Sequence, residues 1–293
     1  MRKLDFIVFG MPRGGTSALG RYISAVKGFH CGHEVFPVNV DHSSLDIPAA
    51  LLDRSHPSRN PYSIDDLGSN IESIDYFGNK TPTYFYRLDG ILNELDGCPA
   101  IACVRKPRSV ALSYSTRAMA KNDRWVEGRR GIFAAGDALM LAHALSNLRD
   151  KTDVLIVPQK SLLEDWRDVV DSAVQFIAED WELEFDDEKL QEIEKIKSRQ
   201  SRRKKLELED FEIQAITRLE DAGLSQFFDG TEPFFLNDRR KELRRIIQDL
   251  PPDPISYIQN LCNQHHESAP KEYFKRWQNP AKKAWKTFEL NCC

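Results

Sequence analysis

The stretch LDFIVFGMPRGGTSALGRYISAV, residues 4–26, carries the signals that decide the fold. LDFIVFG is a short apolar run that ends at glycine, which is typical of a buried parallel strand. From Thr16 to Val26 the apolar residues recur at helical spacing. GMPRGGTS between them has the outline GxxxxGK[ST] of a phosphate-binding P-loop, although Thr16 stands where that motif has lysine. The stretch predicts a strand, an anion-binding loop and a helix.

Two more strand-to-helix units follow along the chain. Pro99–Val104 is a second apolar run, and Pro107 then stands at the first position of a helix that extends to Met119. The third unit is the apolar run Asp153–Val157 with the helix Trp166–Ile177 behind it. This alternation predicts an α/β fold with a central parallel sheet flanked by helices, and ligands at the carboxyl ends of the strands.

The remaining segments show other patterns. Residues 28–75 have little periodicity and predict an irregular excursion with short helices. Beyond about residue 186 no strand is expected, and the tail with YFKRW and AKKAW is amphipathic but short. Helical spacing predicts the helices Asp187–Lys197, Leu208–Leu219 and Asp238–Leu250. We expect one domain over 1–293, with a nucleotide-binding core at 1–180 and a helical C-terminal extension at 181–293.

Composition narrows the class of protein. With 41 basic and 45 acidic residues among 293, the net charge of −4 gives no indication of a nucleic-acid or membrane-surface partner. No apolar run approaches the roughly 18 residues of a membrane span. The six cysteines show no CxxC spacing, so reduced thiols are the default. These features predict a soluble, cytoplasmic protein.

The two strand-to-helix turns contain the groups that suit anions. Arg13 lies between Pro12 and Gly14 in the glycine loop, whose N–H groups and helix N-terminus favour negative charge. In ACVRKPRSVALSYS, Arg105 follows the second strand, and Ser109 and Ser113 share one face of the next helix. This turn predicts a second phosphate site. The lysine of a P-loop NTPase and an acidic metal ligand at the other strand ends are absent from the sequence, so no metal site is predicted.

These motifs resemble the sulfotransferases that use 3′-phosphoadenosine 5′-phosphosulfate (PAPS). The family's 5′-phosphosulfate loop, PxxGT[TS], is matched by residues 12–17, and its 3′-phosphate motif places serine eight residues after arginine, as in Arg105 and Ser113. YFGNKTPTYF, residues 76–85, resembles the segment that carries a lysine after a short strand in carbohydrate-type members, and Lys80 is the match. The resemblance spans roughly Leu4–Ile177.

The chain departs from the family's pattern in several places. VLIVPQKSLLEDW resembles a later strand and turn of the family, but Gln159 and Lys160 replace the usual acidic residue there. The RKGxxGDW signature of cytosolic members is not found in the C-terminal third. SRRKK, residues 201–205, is a candidate third basic contact to the nucleotide, although such a charge run is more often a solvated helix end or loop.

The resemblance implies roles for the site residues. PAPS would be the sulfuryl donor and adenosine 3′,5′-bisphosphate the product. Lys80 would neutralise charge that develops on the bridging oxygen, while Arg105 and Ser113 would hold the 3′-phosphate. The residues implied at the 5′-phosphosulfate are Arg13, Gly14, Gly15, Thr16 and Ser17, together with Lys80.

The base that accepts the acceptor's proton has two candidates. Carbohydrate-type members use a glutamate beyond the loop helix, and Glu34 in FHCGHEVFP occupies that region. His33 is the rival, and we favour Glu34. The acceptor is a small molecule or a carbohydrate that offers a hydroxyl or an amine, and the sequence does not indicate an oligomeric state.

Two other functions stay open on the sequence alone. A P-loop kinase would need a lysine from elsewhere, with Arg13 or Lys80 as the nearby candidates, and would depend on Mg²⁺ and ATP. A non-catalytic nucleotide-binding module would show affinity without turnover. Neither explains both phosphate motifs together.

Overall fold

The centre of the computed structural model is a sheet in which β1 is flanked by β3 on one side and β4 on the other. The structure describes residues 2–53, 55–60, 70–120, 128–200, 207–265 and 271–291. Six strands in these ranges have the spatial order β2-β3-β1-β4-β5-β6, with parallel pairing among the first five and antiparallel pairing of β6 with β5. The strands are β1 (Phe6–Gly10), β2 (Phe29–His33), β3 (Tyr76–Lys80), β4 (Ala100–Val104), β5 (Leu155–Pro158) and β6 (Phe234–Phe235).

Helices surround this sheet, and several begin at signals that the local sequence supplies. Pro107 is the first residue of its helix, and the Asp165 and Asp253 side chains accept N–H hydrogen bonds at the starts of two others. The helices are α1 (Thr16–Ser24), α2 (Ile47–Leu52), α3 (Leu88–Glu94), α4 (Pro107–Ala118), α5 (Gly131–Ser146), α6 (Gln159–Glu164), α7 (Trp166–Ile177), α8 (Asp187–Gln200), α9 (Asp210–Asp221), α10 (Leu224–Phe228), α11 (Leu236–Asp249), α12 (Pro254–Gln264) and α13 (Lys271–Asn291).

The two faces of the sheet pack against different sets of helices. Successive side chains of β1 alternate between the faces, and all five of its residues are buried. Phe6 and Val8 belong to a hydrophobic core with α1 and α7. Ile7 and Phe9 belong to a second core with α3, α4 and α5, and this core also includes side chains from α9 to α13. The C-terminal helices therefore extend the layer that covers the second face.

Helix α5 lies inside the second layer. Every residue from Gly131 to Ser146 is buried, and the helix is apolar around most of its circumference, as expected for a helix surrounded by protein. Asp137 and His143 are polar exceptions on it. A buried carboxylate is costly unless it is paired or hydrogen-bonded, so the surroundings of Asp137 must supply donors.

The α/β class, the P-loop-like strand–loop–helix and the helical C-terminal third are confirmed. The third predicted unit is also confirmed, since α7 has the predicted bounds and β5 overlaps the predicted strand. Within the described residues, no helix combines the length and the apolar character needed to cross a bilayer.

Three element predictions are wrong. The segment predicted to be irregular contains β2, which pairs with β3 at the edge of the sheet, so it can carry histidines that obscure a strand pattern. The C-terminal third contributes β6, which at two residues is too short to produce a periodic signal. The tail predicted to be short forms the 21-residue helix α13, in which Pro280 interrupts the sequence pattern.

Candidate functional site

The predicted site residues lie along one edge of the sheet, where the parallel strands end. In the strand register, Lys80 at the end of β3 stands beside Val8 of β1 and His33 of β2, and Gly10 stands beside Cys103 of β4. The loop 11–15 leaves β1 at this edge. The strand order therefore brings the loop, Lys80 and the start of the segment after β4 together.

The loop after β1 needs glycine for its conformation. Gly10 and Gly15 have φ values of 140° and 111°, and a Cβ at Gly10 would clash with the carbonyl oxygen of Cys103. Gly15 is the N-cap of α1, and no side chain caps that helix start. The N–H groups of the first turn, at Thr16 and Ser17, have no carbonyl partner within the helix. This geometry suits an anion.

Arg105 differs from its basic neighbours. Lys106 Nζ lies 2.6 Å from Asp229, and Arg108 donates to Glu220 from Nε at 2.9 Å. Arg105 forms no such ion pair with any described residue, and its one hydrogen bond runs from Nη1 to the carbonyl oxygen of Arg13 at 3.2 Å. Burial lowers the pKa of the Arg105 guanidinium. A partly desolvated cation without an acidic partner is typical of an anion-binding site.

Arg13 connects the two predicted phosphate sites. Its backbone has the left-handed value φ 70°, and its Nε donates to Ser113 Oγ at 3.2 Å. The resemblance implied that Arg13 holds the 5′-phosphosulfate, but its guanidinium lies against α4, beside the residue expected at the 3′-phosphate. The two sites are therefore adjoining parts of one surface.

Glu34, the predicted base, forms an ion pair with Lys80, the residue predicted to neutralise charge on the bridging oxygen. Lys80 Nζ donates to Glu34 Oε1 at 2.8 Å, and the side chains are 3% and 51% exposed respectively. Glu34 has φ 57°, and its N–H donates to the carbonyl oxygen of Lys80 at 2.7 Å. The buried Lys80 ammonium is thus paired with a carboxylate that is half exposed.

His33, the alternative base, lies on the same face of the sheet, beneath α1. A Cβ at Gly20 of α1 would lie 3.5 Å from the Cβ of Lys80 and 3.6 Å from His33 Nε2. Gly20 of α1 therefore packs directly over these two residues. Both base candidates consequently lie near Lys80, and this arrangement does not choose between them.

Asn79 supports the backbone after Glu34, and sequence reasoning missed it. Its Oδ1 accepts from the N–H of Val35 at 3.1 Å, and its Nδ2 donates to the carbonyl oxygen of Phe36 at 3.1 Å. Tyr84 also donates to the Phe36 carbonyl oxygen, at 2.9 Å, and burial raises its pKa. Asn79 is fully buried, and its sequence YFGNK gives no sign of that burial.

A second cluster that the sequence did not reveal surrounds Asp137. Tyr86 and Tyr114 donate to its two carboxylate oxygens at 2.6 and 2.7 Å, and Trp277 Nε1 donates at 2.9 Å. Arg129 lies 3.4 Å away. Burial, followed by the Asp137 charge, raises the pKa of both tyrosines well above the ordinary value. Because Tyr114 is next to Ser113, this cluster anchors the part of α4 that carries the serine.

Other features lie apart from these residues. A cleft of about 710 Å³ between α7 and α8 is lined by Trp166, Arg167 and Leu190 among others, and by none of the predicted site residues. The candidate third basic contact, residues 201–205, lies outside the described residues. The described ranges contain no group of three or more His, Cys, Asp or Glu residues arranged to hold a metal ion.

Comparisons with known proteins give a structural similarity but no match to a family model or a curated sequence. Among solved structures, a sulfotransferase from Alicyclobacillus acidocaldarius is similar at 14% identity, with a TM-score of 0.35. The match covers 68% of this chain and 93% of that one. The similarity is weak, so the residues of this chain must carry any functional assignment.

Proposed function

We propose that the protein is a sulfotransferase that moves a sulfuryl group from PAPS to a hydroxyl of a small-molecule or carbohydrate acceptor. The observation that carries the proposal is Arg105, a partly buried cation without an acidic partner among the described residues, in contact with the glycine loop. The paired Lys80 and Glu34 lie at a neighbouring strand end and supply a hydrogen-bond donor and a base.

The residues present fit a ligand with two separated anionic groups. The N–H groups at Thr16 and Ser17 and the buried Lys80 ammonium suit the 5′-phosphosulfate, in a loop where glycines let the backbone approach closely. Arg105 and Ser113 suit the 3′-phosphate, because a guanidinium forms strong, directed hydrogen bonds to phosphate oxygens. When bound, the donor supplies an activated sulfuryl group.

The proposed chemistry of the chain's own residues is one proton transfer, to Glu34, and one hydrogen bond, from Lys80. Glu34 Oε accepts the proton of the acceptor hydroxyl, while Lys80 Nζ donates a hydrogen bond to the oxygen on which negative charge develops. In the structure the two groups neutralise each other at 2.8 Å. A bound anion beside Lys80 would compete for its protons and leave the Glu34 carboxylate available to the acceptor. His33 is the alternative base.

Isothermal titration calorimetry with adenosine 3′,5′-bisphosphate and adenosine 5′-monophosphate tests the nucleotide assignment. Losing a hydrogen bond to a charged group costs about 1.5–3 kcal/mol. Arg105→Ala should therefore lower the affinity for the bisphosphate by roughly 10- to 150-fold and change the affinity for the monophosphate little. Arg108→Ala is the matched control, since it removes the same charge three residues along the chain but Arg108 is already paired with Glu220. Equal wild-type affinity for the two nucleotides would remove the 3′-phosphate assignment.

Turnover with labelled PAPS and a panel of hydroxyl and amine acceptors tests the transfer itself. The loop has no lysine at position 16, and no acidic metal ligand is evident in the sequence beside it, so we expect most activity to survive excess EDTA. Complete loss on chelation with recovery in Mg²⁺ and ATP-dependent transfer would instead indicate a kinase. Tight binding without turnover of any acceptor would indicate a nucleotide-binding module.

A further inference from the structure

Arg13 is held at two points by residues of the segment after β4. Arg105 Nη1 donates to the backbone carbonyl oxygen of Arg13, and Arg13 Nε donates to Ser113 Oγ, each at 3.2 Å. The contacts join residues about a hundred positions apart in the chain. They fix both the backbone and the side chain of a loop residue whose φ is 70°. An L-residue visits this conformation only at an energetic cost, so the loop depends on contacts that stabilise it.

Both contacts are compatible with a phosphate at Arg105 and Ser113. A serine hydroxyl has one donor hydrogen and two acceptor lone pairs, so Ser113 can accept from Arg13 and donate to a phosphate oxygen at the same time. A guanidinium has five N–H donors, of which Arg105 uses one on the Arg13 carbonyl. A bound phosphate would orient both residues and thereby hold Arg13, and with it the loop 11–15.

We propose that Arg13 is a positioning residue that couples the two phosphate sites. This inference rests on the proposed nucleotide function and adds a source of specificity to it. The protein prefers a nucleoside with anionic groups at both the 3′ and 5′ positions because each group stabilises the loop conformation that the other requires. The 3′-phosphate therefore strengthens binding partly through Arg13, a residue of the 5′ loop.

The ratio of affinities for adenosine 3′,5′-bisphosphate and adenosine 5′-monophosphate measures this coupling. Coupling between ligand groups is commonly about 5-fold or more, so Arg13→Ala should reduce the ratio by at least about fivefold. If Arg13 only contacted the 5′ group, both affinities would fall together and the ratio would not change. Arg21→Ala is the matched control, because it removes an arginine near the other end of α1.

A double-mutant cycle separates coupling from two independent losses. Ser113→Ala should lower the ratio strongly in the wild-type background. In the Arg13→Ala background, the fold-decrease that Ser113→Ala causes should be smaller by a factor of at least about five. Thermal denaturation of each variant establishes that the change in ratio is measured on folded protein.

The outcomes distinguish the coupling from the function on which it rests. An unchanged ratio in Arg13→Ala, or effects of the two substitutions that simply multiply, would overturn the coupling while the nucleotide function stands. Wild-type protein that binds neither nucleotide, or binds both equally, would overturn the proposed nucleotide function and the coupling together.

Discussion

Protonation of His143 should destabilise the fold in mild acid. His143 lies on α5, is 7% exposed, and packs edge-on against the Trp285 ring at 4.8 Å. Burial lowers its pKa from 6.5 to about 4, while the Pro251 carbonyl oxygen and the Asp253 charge oppose that shift. Between pH 6.5 and about 4 the His143 imidazole is therefore neutral in the folded protein, whereas in an unfolded chain it would bind a proton.

The sign and size of the effect follow from this difference in pKa. Between pH 6.5 and 4 the unfolded state binds more protons than the folded state, so the free energy of unfolding falls as the pH falls. The loss from His143 amounts to about 2 kcal/mol at pH 5 and about 3 kcal/mol below pH 4, at about 1.4 kcal/mol for each pKa unit. At pH 7.5 both states are neutral at this residue, and the effect is absent.

Urea denaturation of wild type and His143→Leu at pH 7.5 and pH 5 measures this contribution. Between pH 7.5 and pH 5 the free energy of unfolding of His143→Leu should fall by about 2 kcal/mol less than that of wild type, whatever the stability of the variant at pH 7.5. His265→Leu is the matched control, because His265 at the end of α12 is only partly buried. If wild type and His143→Leu lost the same free energy on acidification, the neutral buried imidazole would be refuted.

Two further predictions concern the base and the buried cluster. Glu34→Gln keeps the shape of the side chain and removes its basicity, so turnover should fall by ~10²–10⁴-fold with little change in nucleotide affinity. His33→Asn should lower turnover much less. If steady-state kinetics gave the reverse result, the roles of Glu34 and His33 would be exchanged. Asp137→Ala leaves the Arg129 charge and three other donors without their acceptor and should cost about 3–5 kcal/mol in urea denaturation. Asp150→Ala is the control, because it removes an exposed ion pair with Arg244 and should cost under about 1 kcal/mol. If the two substitutions lowered the free energy of unfolding equally, burial of Asp137 would not explain its contribution.

The strand, loop and helix at the start of the chain could be predicted because their signals are local. An apolar run, glycines at Gly10 and Gly15 and apolar residues at helical spacing act between near neighbours in the chain. The same holds for Pro107 at the start of α4 and for the bounds of α7. The prediction failed for β2 because that strand is defined by its pairing with β3, and its own residues lack an apolar pattern.

The candidate residues were identified singly, from motifs, but their contacts depend on the tertiary structure. Lys80 meets Glu34 across 46 positions of the chain because β3 lies between β1 and β2, an order that no local pattern specifies. The contact between Arg13 and Ser113 likewise requires β4 to lie beside β1 on the opposite side.

The sequence alone determined the glycine loop and the strands β1 and β4 beside it, since short-range backbone preferences and periodicity are sufficient for those features. The tertiary structure decided which cations are neutralised and which buried polar groups support the site. Lys106 and Arg108 are paired with residues more than a hundred positions away, which leaves Arg105 beside the loop without an acidic partner among the described residues. Asp137 finds Trp277 across 140 positions. Such pairings form only when packing brings distant segments together. The position of a charged or polar residue in the sequence does not identify its partner, so these pairings could not be predicted.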